Sequence, residues 1–333
     1  MPRKARIDAP GAIHHVIVRG IERRSIFRDN QDRNNWIARL GAVLEDTATP
    51  CFAWALMANH VHLLLRTGLV ALSTVMRRLL TGYAVSFNRR YRRHGQLFQN
   101  RYKSILCQED PYLRELVRYI HLNPLRVNLV KNLSDLDRYF YSGHSALMGK
   151  KARSWQDTDY VLKLFSRRKV IARKRYREFV RQGISEGRRP ELVGGGLIRS
   201  LGGWQAVKMI RAKGSRIKGD ERILGDSDFV DGVLKASQDK LERKAELHRR
   251  GYDFNWLVGR VAHLLDMEPD EVLKPGRYPR TVMARSILLY WAHRELGLST
   301  VDLAKRLKLS QPSVSQSVKR GESLILDRGY TLF

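Results

Sequence analysis

Cysteine is nearly absent from this sequence of 333 residues; Cys51 and Cys107 are the two present. Two thiols make neither a disulfide framework nor a four-cysteine zinc site, so a reducing cytosol is the expected environment. Acidic residues are also scarce, 33 Asp and Glu against 62 Lys and Arg, giving a net charge of +29 and a pI near 10.6. A surface so short of carboxylates points to a polyanion as partner. Long apolar runs are missing. Met1-Pro2-Arg3-Lys4-Ala5-Arg6 lacks a signal-peptide core, and no stretch is long enough to span a bilayer. The expectation is a soluble cytoplasmic, nucleoid-associated chain with no membrane partner. No Gly-x-x-x-x-Gly-Lys-Ser/Thr loop occurs: Gly202-Gly203 with Lys208 has a different spacing, and Gly194-Gly195-Gly196 reads as a hinge.

What is present is a histidine pair. Phe52 to Met57 is a β-prone apolar run, and Val61 to Leu65 resumes it after a break at Ala58-Asn59. Residues two apart on a strand share a face, so His60 and His62 can offer two imidazole nitrogens to one divalent ion. Downstream, the segment after Pro111 reads as a helix with Leu113, Leu116, Val117 and Ile120 on its apolar stripe and an end at Asn123-Pro124. Tyr119 and Asn123, four apart, share a face of it. A tyrosine hydroxyl, with a reference pKa of about 10, needs a polarised phosphate to act as nucleophile. Mg²⁺ or Mn²⁺ on two histidines and the Asn123 amide oxygen would supply that polarisation and leave positions open for substrate.

The positive charge is clustered. Arg89, Arg90, Arg92, Arg93, Arg101 and Lys103 lie in an acid-free stretch with Tyr91, Phe98 and Tyr102 between them. Cations for phosphates and rings for unpaired bases suit single-stranded DNA. A second basic run, Arg167 to Arg177, has helical spacing and reads equally as a solvated face. Near the C-terminus, Ser299 to Gly321 has helix-turn-helix spacing. Leu303, Ala304, Leu307, Leu309, Val314 and Val318 form its expected core, Ser310 the N-cap and Gly321 the end of the second helix. Gln311, Ser313, Ser315, Gln316 and Lys319 would face duplex DNA.

Four segments carry a resemblance: Ile13 to Gly20 (IHHVIVRG), Met57 to Leu64 (MANHVHLL), Gly95 to Ser104 (GQLFQNRYKS) and Tyr119 to Pro124 (YIHLNP). They occur in the order seen in REP-associated tyrosine transposases, which resemble the wider single-tyrosine HUH transposases. The resemblance covers roughly residues 1 to 150, and more weakly the helical extension beyond. It implies that His60 and His62 are the metal ligands, Tyr119 the nucleophile and Asn123 the third ligand, at a position often glutamine in relatives. His121 is expected to be structural. The implied chemistry leaves a 5′-phosphotyrosine and a free 3′-hydroxyl, so rejoining needs no ATP. Tyr278 to Arg285, with Tyr290 and Arg294-Glu295-Leu296, looks like the DNA-binding domain of the replication initiator DnaA. That likeness fades over Leu309 to Val314, so DNA binding is implied but no target sequence.

The expected fold is α+β. An antiparallel, ferredoxin-like sheet with helices packed on one side occupies residues 1–150, a helical connector 151–245, and an all-α helix-turn-helix domain 246–333. Its expected elements are a strand over Ala12 to Gly20, a helix over Gln31 to Glu45, the strand pair of Phe52 to Arg66, and helices from Leu72 to about Tyr91 and from Pro111 to Asn123. The expected function is nicking and rejoining of single-stranded or hairpin repeat DNA by a monomer or homodimer. Two other readings stay open: a non-catalytic DNA-binding regulator on a transposase scaffold, and a rolling-circle initiator or relaxase.

Overall fold

The structure is a computed structural model that describes residues 7, 11–68, 70–187, 189, 192, 220–276 and 278–333. The glycines at 194–196 and 202–203 lie outside the described residues, as does Lys208. Two compact units are present, Met1–Val233 and Leu234–Phe333. Among the described residues no helix is long and apolar enough to cross a membrane.

The first unit begins with β1 (Ile13–Arg19), α1 (Asn30–Asp46), β2 (Cys51–Leu56), β3 (His60–Arg66), α2 (Leu72–Arg90) and β4 (Lys103–Cys107). The strands lie in the order β2-β3-β1-β4, each antiparallel to its neighbour, and a two-residue β5 (Ile223–Leu224) adds in parallel at the β4 edge. This is the ferredoxin-like α+β arrangement. The two crossover helices share one face, where Trp36, Leu40, Leu79 and Tyr83 meet Val16, Val18, Trp54 and Leu63. The other face is covered too, in contrast to the expectation of helices on one side. There α3 (Glu109–Arg126) sets Leu116, Val117 and Ile120 against Ile17, Ala55, Leu64 and Ile105. The reason lies in the strands: β2 is buried at every position and β1 at all but Arg19, a pattern of a sheet covered on both sides.

Helix α3 also runs one turn past its expected end, with Pro124 inside it. Proline has no N–H for the carbonyl of Ile120, four residues back. The Asn123 side-chain amide donates to that oxygen instead (3.4 Å) and to the Tyr119 carbonyl (3.1 Å). The expected boundary at 150 falls inside one core. α4 (Leu133–Arg138), α5 (His144–Leu147), α6 (Thr158–Lys163) and α7 (Lys169–Gln182) pack Leu136, Leu147, Val161, Leu162, Tyr176 and Val180 into the cluster that holds α3.

Helix α8 (Ser227–Arg249) spans the division between the units. The second unit continues with α9 (Phe254–Leu265), α10 (Pro269–Leu273), α11 (Pro279–Arg294), α12 (Thr300–Leu307) and α13 (Gln311–Arg328) around Leu257, Val261, Ile287, Trp291, Leu303, Val314 and Val318. Lys308 takes a left-handed conformation between α12 and α13, and the Ser310 hydroxyl accepts from the Ser313 N–H to cap α13. Gly321 was expected to end this helix. It lies in mid-helix instead, buried so closely against α11 that a Cβ there would stand 2.0 Å from the Ser286 carbonyl oxygen. The end falls at Gly329, in the left-handed region.

Candidate active site

The register of the sheet assembles the site. Ile17 pairs with both His62 and Lys103, Arg19 with His60, and His15 with Leu64 and Ile105. Directly opposed residues point to the same side, so His15, Arg19, His60, His62 and Lys103 share the face that α3 covers. Tyr119 descends onto it from α3. Its ring meets His62 edge-on at 5.8 Å between centroids and His15 at 6.0 Å, while the rings of His60 and His62 stand 5.3 Å apart.

The protonation of these rings follows from their partners. The Leu192 carbonyl can only accept, so His15 donates to it through Nδ1 (3.0 Å). A neutral His15 then has a lone pair at Nε2, and the 2.8 Å contact there must be donated by Nδ1–H of His62. Asn59 uses its side-chain N–H on the Arg23 carbonyl (2.8 Å). Its oxygen therefore accepts from Nδ1–H of His60 at 2.7 Å. Both chains end alike, with the Nε2 lone pairs of His60 and His62 left for an outside ligand. All three rings are held neutral. Burial, aided for His60 by the Arg19 charge, brings His15 and His60 down to about 4 and takes His62 well below its ordinary value. Neutral imidazoles anchored through Nδ1 are the form that binds a divalent cation.

Asn123 is buried one turn beyond Tyr119 on the same helix face. Its N–H groups are spent on the helix carbonyls, so its oxygen is the atom it can offer a cation. It makes no hydrogen bond to either histidine. Among the described residues no group of three or more His, Cys, Asp or Glu side chains is placed to hold an ion.

The basic stretch divides. Arg89, Arg92, Arg101 and Lys103 are exposed. Arg90 is committed to the fold, bridging Asp29 and Asp32 at the start of α1 (both 2.6 Å), and Arg93 hydrogen-bonds Asn88 (3.4 Å). Lys103 lines a cavity of about 270 Å³ with Ile17, Arg19, Gln99, Asn100 and Tyr102. In the second basic run, Arg177 and Lys169 are paired with Asp137 and Asp159. On α13, Ser313, Ser315, Gln316 and Lys319 are exposed, while Gln311 is half-buried and bonded to Thr300 (3.1 Å). His121 is buried and bonded to the Tyr176 hydroxyl (2.8 Å), facing away from the pair.

Residues 10–123 match the family model described as Transposase IS200 like. The match covers about a third of the chain, and that segment is similar to the family. The IS200-like segment contains β1 through most of α3, and with them His15, His60, His62, Tyr119 and Asn123. A solved structure of a REP-associated tyrosine transposase bound to a REP hairpin is similar at 21% identity, over 48% of this chain and 90% of that one, with a TM-score of 0.37. No curated protein matches the chain. Two residues of the IS200-like segment went unassigned from sequence, His15 and Arg19. The doublet His14-His15 was visible, but strand parity alone does not say which ring faces α3.

Proposed function

We propose that this chain is a DNA-nicking and strand-transfer enzyme that uses Tyr119 as nucleophile on single-stranded, hairpin-forming repeat DNA. The observation that carries the reading is the approach of the Tyr119 ring to His62, whose ring lies 5.3 Å from that of His60, both histidines being hydrogen-bonded through Nδ1. His60 and His62, with the Asn123 oxygen, would hold Mg²⁺ or Mn²⁺. Such a cation supplies charge neutralisation at the phosphate and orients its oxygens. The Tyr119 oxygen then bonds to phosphorus as the bond to the 3′-oxygen breaks. The phenolic proton is lost to solvent, and the leaving oxygen takes up a proton to become the 3′-hydroxyl. The strand remains as a 5′-phosphotyrosine whose energy serves for rejoining. Arg19, Arg101 and Lys103 would draw the strand toward the histidine face. On α3 no second tyrosine lies one turn from Tyr119, which favours the single-tyrosine reading over a two-tyrosine initiator. Duplex binding by the α12–α13 turn belongs to the same proposal.

The test is incubation of the full chain with labelled single strands from the repeats beside its own gene, with Mn²⁺ or with chelator, followed by a denaturing gel. A metal-dependent covalent band that vanishes in Tyr119→Phe, while binding persists, is the expected result. Absence of any band, with tight duplex binding intact, would replace this reading with that of a DNA-binding regulator.

A further inference from the structure

Arg126 stands seven residues after Tyr119, two turns along the same face of α3, and its guanidinium lies over the Tyr119 ring at 5.3 Å. Its Nε and Nη1 are buried and have no hydrogen-bond partner. Among the described residues the other buried guanidinium nitrogens without partners occur singly, as in Arg33, Arg66 and Arg153, each on a side chain that makes a polar contact through another nitrogen. Arg126 has two, and it makes no hydrogen bond or ion pair with any described residue. The acids in its neighbourhood are already engaged. Glu186 is held by Arg118 (2.6 Å) and Arg189 (2.6 Å), and Glu115 by the same two arginines at 2.6 and 3.3 Å.

Arg126 is half-buried, and buried donors left open on a cation are costly unless an anion completes them. The phosphate that Tyr119 would attack, and would then carry, is an anion at the hydroxyl end of the ring that this guanidinium covers. An arginine N–H gives a phosphate oxygen a charge-assisted hydrogen bond. We propose that Arg126 is a catalytic residue that turns its unpartnered guanidinium donors to a non-bridging oxygen of the scissile phosphate and then of the phosphotyrosine. This inference rests on the assignment of Tyr119 as nucleophile.

The full chain, Arg126→Gln and Arg126→Lys are compared in two assays. In single-turnover adduct formation with Mn²⁺, Arg126→Gln is expected to be slower by about 100-fold, the scale for losing one preorganised donor at a developing charge. Its single-strand affinity in chelator should stay within about threefold of wild type, a split that a purely structural role would not produce. The second assay needs neither metal nor turnover. The Nε–H resonance of Arg126 in the wild-type chain, identified by its absence from Arg126→Lys, should shift as inorganic phosphate is added. Wild-type adduct rates in Arg126→Gln, or a resonance indifferent to phosphate, would overturn the proposal. Should the wild type form no adduct, the nucleophile assignment fails and the proposed role falls with it. Should Arg126→Gln fail to fold, the phosphate titration of the wild type decides.

Discussion

A metal site made of two histidines is only as good as the hydrogen bonds that fix their tautomers. His62 keeps its Nε2 lone pair because its Nδ1–H is donated to His15 Nε2, and that nitrogen can accept because the His15 proton sits on Nδ1 and is donated to the Leu192 carbonyl. His15→Phe removes the acceptor and frees the His62 ring to turn or to change tautomer. Loss of such an outer partner costs metal affinity by about 10- to 100-fold. Mn²⁺ affinity, read from the free-ion electron paramagnetic resonance signal, should weaken by that factor in His15→Phe and recover in His15→Gln, whose amide oxygen can accept. Equal affinities in wild type and His15→Phe would show that the ring orientation has another source. At this scale the sequence was readable where chemistry and spacing coincide. His60 and His62 announce themselves by strand parity, and Tyr119 with Asn123 by helical spacing. His15 and Arg126 were not, since their roles depend on cross-strand register and on which of many arginines lacks a carboxylate.

Elements were legible to the extent that hydrophobic period alone defines them. β1, β2, β3 and the two crossover helices fell where apolar pattern and 3.6-residue spacing put them, whereas the short β4 and β5 were not foreseen and ends governed by tertiary contacts fell elsewhere. Pro124 signals a helix end, but the Asn123 amide replaces the missing donor and α3 continues. Gly321 signals a helix end too, yet its lack of a side chain serves the crossing with α11. Gly321→Ala sets two effects against each other. Alanine gains about 1 kcal/mol of helix propensity over glycine, while a methyl group 2.0 Å from the Ser286 carbonyl oxygen and 2.8 Å from the Tyr290 Cβ must push two backbones apart. Overpacking of this kind costs about 1–3 kcal/mol, and separation of backbone from backbone lies at its upper end. The second unit should therefore melt lower by several degrees in Gly321→Ala. Gly259, in α9 with nothing within 4 Å of its would-be Cβ, provides the control. Gly259→Ala should melt at or above wild type, and a Gly321→Ala variant that behaves the same way would mean that the crossing is looser than described.

Across the whole molecule, a net charge of +29 makes binding to any nucleic acid strongly salt-dependent, so affinity alone cannot distinguish two surfaces. In the sequence, charge points to a polyanionic partner and pattern to separate regions. It did not place the first boundary, because α4 to α7 complete the apolar core beneath α3 and their periodicity carries no mark of which core they join. Separation of the surfaces comes from residues present on one of them only. Lys319 is exposed on α13, in the second unit, while His60, His62 and Tyr119 belong to the first. If α13 contacts duplex phosphates, Lys319→Ala should weaken duplex binding and lower the slope of log affinity against log salt by about one, the share of a single phosphate contact. Adduct formation on a short single strand should stay within about twofold, since that strand needs only the histidine face. An unchanged duplex slope in Lys319→Ala would remove this face of α13 as the duplex surface. A parallel fall in adduct formation would mean that the single strand also relies on the second unit.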